Sequence, residues 1–317
     1  MAQELGTAWK ERGHEVQVVT ATDLEGEKEL SELEVFRSPS HEEWIELAQW
    51  ADVFFQNGIS LRSVAYPFLV GCPVVFRHPG VLEPNPFVFF RDAVRRLLTV
   101  LGANVASCQA VAAPVLGPTV AVPNTFRSVF DQPEVGSEDR DGLLFVGRLV
   151  TEKGVDVAID ALQLLKDQEI DRTLTICGDG SERAAMERRV RQLGLQDRVT
   201  FNGWASSEEL AVLYREAEVL LVPSRHEPFG IVALEALASR CPVVASNVDG
   251  LPEAVGDCGL LVQPEDPEAL ADAAIRVLRD DVREELQAAM PAHVNRHRTE
   301  RIATDYLHVL RAARAST

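Results

Sequence analysis

The sequence predicts an α/β protein built from two doubly wound domains that face each other across a cleft. Three observations predict it. At 317 residues the chain is long for one α/β domain and comfortable for two. Short apolar runs recur in two successive series, each run followed by helix-compatible sequence. The runs are apolar without strict alternation, the pattern of strands buried on both faces of a parallel sheet.

The first series spans residues 1–125. It opens on a helix, with Leu5, Ala8 and Trp9 on one face and Gly13 as the C-terminal stop. The runs EVQVVT (15–20), LEVFRS (33–38), DVFFQN (52–57), PVVFRH (73–78), NVASC (104–108) and TVAVPN (119–124) follow as strands. A domain of this class ordinarily opens on a strand and a glycine-bearing turn. Neither precedes the first helix here, so the first domain is expected to lack its first strand. In a doubly wound sheet that strand is usually central, and its loss leaves neighbouring backbone groups unpaired. Either the start codon lies upstream, or the domain folds in an altered and inactive form.

Residues 126–141 are polar and contain Pro and Gly, which reads as an interdomain linker. The pattern then restarts over 142–296 with LLFVGRL (143–149), TLTICGDG (173–180), RVTFNGW (198–204), EVLLVPS (218–224), PVVASN (242–247) and GLLVQP (259–264). From about residue 267 strand signals cease. Residues 297–317 carry an amphipathic helix, ERIATDYLHVLRAA, expected to pack back toward the first domain.

Composition narrows the function classes. A net charge of −18 opposes general nucleic-acid or anionic-membrane binding, because a field of that sign repels phosphate over the whole surface. Any bound phosphate must be held by a local cationic cluster. No apolar run approaches the roughly 20 residues needed to span a bilayer, and the N-terminus lacks the apolar core of a secretion signal, so the protein reads as cytoplasmic. Cys72, Cys108, Cys177, Cys241 and Cys258 lie in or beside apolar runs without C-x-x-C spacing, as small buried thiols do. The segment NPFVFFRDAVRRLL joins aromatics to Arg91, Arg95 and Arg96 and reads as a partly buried helix with a basic outer face; membrane contact is peripheral at most. Asp139 and Asp141, the one Asp-x-Asp, sit in the linker as solvated charges rather than metal ligands.

Ligands in doubly wound sheets bind beyond the carboxyl ends of the strands. RLVTEKG places Arg148 and Lys153 in the loop leaving the first strand of the second domain. Two cations beside the amides of a helix start suit a diphosphate, although an ordinary solvated loop accounts for them equally. GDG puts Gly178 at the next strand end, where the missing side chain admits either a close ligand or a tight turn. SRHEPFGIVALEALAS holds Glu227 on a loop and Glu235 in a helix apolar on nearly every side. A buried carboxylate without a partner costs several kcal/mol or takes up a proton, so Glu235 needs a cation or a ligand's hydroxyls. A capping Glu227 and an internally paired Glu235 are the alternative.

The set G-R-L-x4-K-G, G-D-G, P-S-x-x-E-P-F-G with a second glutamate eight positions on, and G-L-P-E resembles the retaining glycosyltransferases of family four, which have the GT-B fold of two Rossmann-like domains. The resemblance runs from about residue 1 to 300. It implies that Arg148 and Lys153 neutralise the diphosphate of a UDP-, GDP- or ADP-sugar donor. It implies further that Glu227 accepts hydrogen bonds from the donor sugar, that the amides of Phe229, Gly230 and Ile231 touch sugar and phosphate, and that Glu235 binds the ribose hydroxyls. His78 matches the histidine such enzymes place beside the reacting sugar; a histidine capping a strand end is the other reading. Asn57, at the end of DVFFQNG, lies at the edge where an acceptor binds. The implied reaction needs no metal and no cofactor beyond the donor, and serves polysaccharide or glycolipid assembly. A nucleotide-sugar-binding protein without catalysis and another GT-B enzyme, such as an epimerase, are the alternatives.

Overall fold

Each of the twelve apolar runs forms a strand, and among the described residues every strand pair is parallel. The computed structural model describes residues 2–20, 33–80, 89–131 and 140–316. These fold into two units, residues 1–125 with 298–317, and residues 126–297.

In the first unit α1 (Ala2–Glu11) leads into β1 (Gln17–Thr20), which pairs with β2 (Glu34–Arg37) in a two-stranded sheet. A second sheet has the order β3 (Phe54–Asn57), β4 (Val74–His78), β5 (Ala103–Ala106), β6 (Thr119–Ala121). The connecting helices are α2 (His41–Trp50), α3 (Ala65–Val70), α4 (Phe89–Leu98) and α5 (Gln109–Ala112). Ser40 and Glu43 form a reciprocal capping box that fixes where α2 begins. Residues 81–88 and the side chain of Arg91 lie outside the described residues. Within α4, Arg95 pairs with Asp92 and Arg96 donates to the Pro114 carbonyl.

The last helix, α13 (Thr299–Ala315), belongs to this first unit. Its Ile302, Ala303 and Tyr306 are buried against Leu5, Ala8 and Trp9 of α1 and Val75 of β4. Trp9 Nε1 donates to the Ala303 carbonyl at 3.0 Å, and the Tyr306 ring meets the edges of Trp9 and Phe55.

The second unit holds one six-stranded sheet in the order β12 (Gly259–Val262), β11 (Val243–Ser246), β10 (Val219–Val222), β7 (Leu143–Val146), β8 (Leu174–Cys177), β9 (Val199–Gly203). Helices α6 (Val155–Asp167), α7 (Arg183–Gln192), α8 (Ser207–Glu216), α9 (Ile231–Ala238), α10 (Leu251–Val255), α11 (Pro267–Val277) and α12 (Asp280–Arg296) accompany it. Ile159, Leu162 and Leu165 of α6 pack with Leu270 and Ala274 of α11 and with Leu221 and Val244 of the sheet. Removing one such side chain, as in Leu162→Ala, costs about 2–5 kcal/mol.

The segment read as a linker contributes buried side chains to the second unit. Phe126 and Phe130 are buried, with the Phe130 ring 5.7 Å from that of Tyr214. Residues 132–139, Asp139 among them, lie outside the described residues. All five cysteines are buried and free. Burial pushes Cys241 up to about 12, which keeps its thiol protonated and unreactive. Among the described residues no helix is long and apolar enough to cross a membrane.

Candidate active site

The strand order of the second unit reverses between β7 and β10. From β7 the chain proceeds outward through β8 to β9, and from β10 through β11 to β12. Connections leave these two strands in opposite directions, which opens a crevice beyond their carboxyl ends, the standard ligand position of such a sheet. Lys153 follows β7 and Glu227 follows β10, so the topology alone brings these two residues together.

Lys153 ends a short 3-10 turn, Thr151–Lys153, held against the sheet by Leu149, which is fully buried. Its Nζ donates to Glu227 Oε2 at 2.5 Å. Both side chains line a small pocket of about 50 Å³ together with Gly147 and Ser224. Arg148, the other cation of that loop, is exposed.

The loop carrying Glu227 is fixed from both sides. Arg225 donates two bonds to the Asp156 carboxylate at 3.0 and 2.8 Å, a third to Glu265 at 2.9 Å, and one to the Thr151 carbonyl at 2.7 Å. Burial pushes the Asp156 carboxyl up, but the bonds from Arg225 outweigh it and the net shift is downward. From the other side, Glu227 N–H donates to Asp249 Oδ2 at 2.9 Å, and Gly250 N–H donates to the Glu227 carbonyl at 3.2 Å. Asp249 itself adopts φ +44°, a left-handed conformation uncommon for a non-glycine residue.

Gly178 stands at the end of β8 with φ +138°, and a Cβ there would lie 1.9 Å from the Gly147 carbonyl oxygen. Only glycine lets the ends of β7 and β8 come this close. Gly230 caps α9 with φ +99°, behind the buried ring of Phe229 and ahead of the partly exposed Ile231. The first amides of α9 therefore have no intrahelical acceptor and present positive charge at the same sheet edge.

Glu235 lies farther along α9. Within the chain its partner is the Tyr214 hydroxyl, which donates to Oε2 at 3.3 Å, an internal pairing of the kind weighed as the alternative. Burial pushes this carboxyl up to about 7, against the downward pull of Tyr214 and the Arg127 guanidinium. Near neutral pH Glu235 is thus poised between its two protonation states.

His78 and Asn57 belong to the first unit. His78 is buried at the end of β4, where its Nε2–H donates to Asn104 Oδ1 at 2.9 Å, and burial lowers its pKa, which favours the neutral ring. Asn57 is exposed, but its Oδ1 accepts from Arg77 at 2.6 Å. Sequence reasoning missed Arg225, Asp156, Asp249 and Tyr214. Arg225 was visible as a charge within a quoted motif and Asp249 stands directly ahead of G-L-P-E, whereas nothing in the sequence signals the pairing of Tyr214 with Glu235.

The family described as glycosyl transferases group 1 matches residues 128–293, just over half of the chain. The chain belongs to this family. Among curated relatives it is 44% identical over 145 residues to D-inositol 3-phosphate glycosyltransferase of Corynebacterium glutamicum, covering 43% of this chain and 35% of that protein. It is 37% identical over 163 residues to alpha-D-kanosaminyltransferase of Streptomyces kanamyceticus, covering 50% and 42%. The chain spans about two fifths of the length of these curated relatives. Solved structures share the fold over nearly the whole chain. HepE of Anabaena, in complex with UDP, superposes with a TM-score of 0.81 at 20% identity, covering 98% of this chain and 96% of that one. Sucrose-phosphate synthase from Thermosynechococcus elongatus gives 0.79 at 23% identity, covering 100% and 93%. The α/β architecture of parallel sheets is therefore that of the GT-B glycosyltransferases.

Proposed function

We propose that this chain transfers a sugar, with retention of anomeric configuration, from a UDP-, GDP- or ADP-sugar to a hydroxyl acceptor. The observation that carries this reading is the Lys153–Glu227 pair at the reversal point of the sheet, set beside the start of α9. A cation and a carboxylate held against each other in a partly buried site are ready to exchange partners. The donor's diphosphate takes the lysine, and its sugar hydroxyls donate to the freed carboxylate.

The bond that breaks joins the anomeric carbon to the β-phosphate oxygen, and negative charge builds on that oxygen as it leaves. Lys153, Arg148 and the amides of Phe229, Gly230 and Ile231 stabilise this charge from fixed positions. The acceptor oxygen attacks from the face the phosphate is leaving, and its proton passes to the departing phosphate. Neither glutamate acts as a nucleophile. Ribose hydroxyls donating to Glu235 favour its charged form and offset the burial that raises its pKa. The scheme draws on no metal.

That HepE structures were solved with UDP and with UDP-glucose supports a nucleotide-sugar donor here. The test is thermal-shift screening with UDP, GDP and ADP, followed by turnover of the matching sugar nucleotide. The reading expects one nucleotide to stabilise the protein and Glu227→Ala to abolish turnover. A fully active Glu227→Ala enzyme would overturn it, and binding without any turnover would favour a donor-binding protein.

A further inference from the structure

Helix α10 forms the wall behind the Lys153–Glu227 pair. Asp249 and Gly250, immediately ahead of it, hold the backbone of Glu227. A Cβ on Gly230 would lie 2.6 Å from Leu251 Cδ2 and 3.6 Å from Ala254 Cβ, so α10 also seats the turn that starts α9. With only the five residues Leu251–Val255, this helix is too short to hold itself together and takes its shape from what it packs on.

The support is the last turn of α12. His293 and His297 are buried there at 4% and 5% exposure, with ring centroids 4.8 Å apart. His293 Nε2 lies 2.7 Å from the Ala254 carbonyl oxygen, and its Nδ1 lies 3.1 Å from an Nη2 of Arg296. A carbonyl oxygen only accepts and a guanidinium only donates, so Nε2 carries the hydrogen and Nδ1 the lone pair. The two partners thereby fix the neutral Nε2–H tautomer. Burial, the largest influence, lowers the pKa of this ring in the same sense, with Arg296 adding to it and Ala254 and Asp257 opposing.

The bond to Ala254 fills an acceptor position that the end of a helix otherwise leaves open. Where the chain turns at Gly256 it runs against the same ring, for a Cβ there would lie 2.7 Å from its Cε1 and Nδ1. On the other side the His297 ring stands 5.9 Å from that of Phe229, the residue ahead of Gly230. A buried pair of histidines can also hold a metal, but here both nitrogens of His293 are taken by protein groups. Among the described residues no group of three ligating side chains could hold an ion.

We propose that His293 is a positioning residue of the donor site: its Nε2–H anchors the end of α10, and α10 in turn fixes Glu227 and Gly230. His297 carries the same support to Phe229, and Arg296 keeps the His293 ring in the tautomer that donates. The inference rests on the donor reading above for what Glu227, Phe229 and Gly230 do. Because the anchor is a single N–H, a glutamine amide can replace it, whereas a leucine fills the space without donating.

The test compares the parent with His293→Leu and His293→Gln. Hydrogen exchange reads the amides of Glu227 and Gly250 against those of β7 and β10, which report general opening of the unit. In His293→Leu the first two amides are expected to exchange at least tenfold faster while the strand amides keep their parent rates. The nucleotide that binds the parent is expected to bind this variant at least tenfold more weakly, and His293→Gln to restore both readouts. Unchanged Glu227 and Gly250 amides, or equal acceleration of the strand amides, overturns the proposal, because His293 then does no more than stabilise the unit. Nitrogen-15 spectra of the parent's histidine rings test the anchor without any variant: a protonated Nε2 and a bare Nδ1 are expected at neutral pH, and the reverse overturns it. Failure of the parent to bind UDP, GDP or ADP overturns the donor reading alone, since the exchange measurement needs no ligand.

Discussion

Lys153 Nζ and Glu227 Oε2 stand 2.5 Å apart, one residue following β7 and the other β10, the two strands between which the sheet order reverses. The side chains are largely buried, at 21% and 12% exposure. Truncating either one leaves the other charge partly desolvated without its partner.

Lys153→Ala and Glu227→Ala are therefore each expected to destabilise the protein by about 1–3 kcal/mol. The double replacement Lys153→Met with Glu227→Leu should recover most of that loss, because it removes both charges and keeps the volume. Urea unfolding of the parent, Lys153→Met, Glu227→Leu and the double replacement as a double-mutant cycle checks this; purely additive losses would show that the pair is not coupled.

Glu235 makes the stability of the fold depend on pH. Its folded pKa of about 7 lies above the ordinary 4.5, so the folded state holds this proton more tightly than the unfolded one. Stability from this group is then greatest below about pH 4.5 and declines as pH rises toward 7. The full penalty above pH 7 is about 3 kcal/mol at most. Glu235→Gln should accordingly gain stability over the parent at pH 8 and lose that advantage near pH 4.5. Denaturant titrations of both proteins at the two pH values read the difference.

Arg225 positions Glu227 without belonging to the pair. Arg225→Lys keeps the charge but cannot reproduce the two-pronged bond to Asp156. Because the loop is aimed by this bond, kcat is expected to fall about tenfold, equivalent to ~1.4 kcal/mol in the barrier, with Tm shifted by only a few degrees. Asp156→Asn should behave alike. Steady-state kinetics beside a melting curve separate misaimed chemistry from general unfolding.

Gly178→Ala asks for a Cβ 1.9 Å from the Gly147 carbonyl oxygen at a backbone angle that side chains avoid. The ends of β7 and β8 must part to admit it. Destabilisation of more than about 1 kcal/mol is expected, together with weakened nucleotide binding, both measurable by thermal shift with and without ligand.

The central strands were legible in the sequence because they are covered on both faces and so read as unbroken apolar runs, as LLFV of β7 and VLLV of β10 do. Lys153 and Glu227 were legible as strand-end residues. Their contact was not, because strand order is a property of the sheet and no local pattern encodes it. Phe126 and Phe130 were hidden in a segment whose polar neighbours dominate its average, although both are core residues. Tyr214 and Glu235 lie on different helices, and their hydrogen bond follows from how α8 packs on α9 rather than from any spacing along the chain.

The central claim is that the Lys153–Glu227 site holds the diphosphate of a sugar nucleotide. Calorimetric titration of UDP, GDP and ADP into the parent protein and into Lys153→Ala tests it most directly. The account predicts that one of the three binds the parent at micromolar Kd and binds Lys153→Ala at least tenfold more weakly. No binding by any of the three, or equal binding by parent and variant, would contradict it.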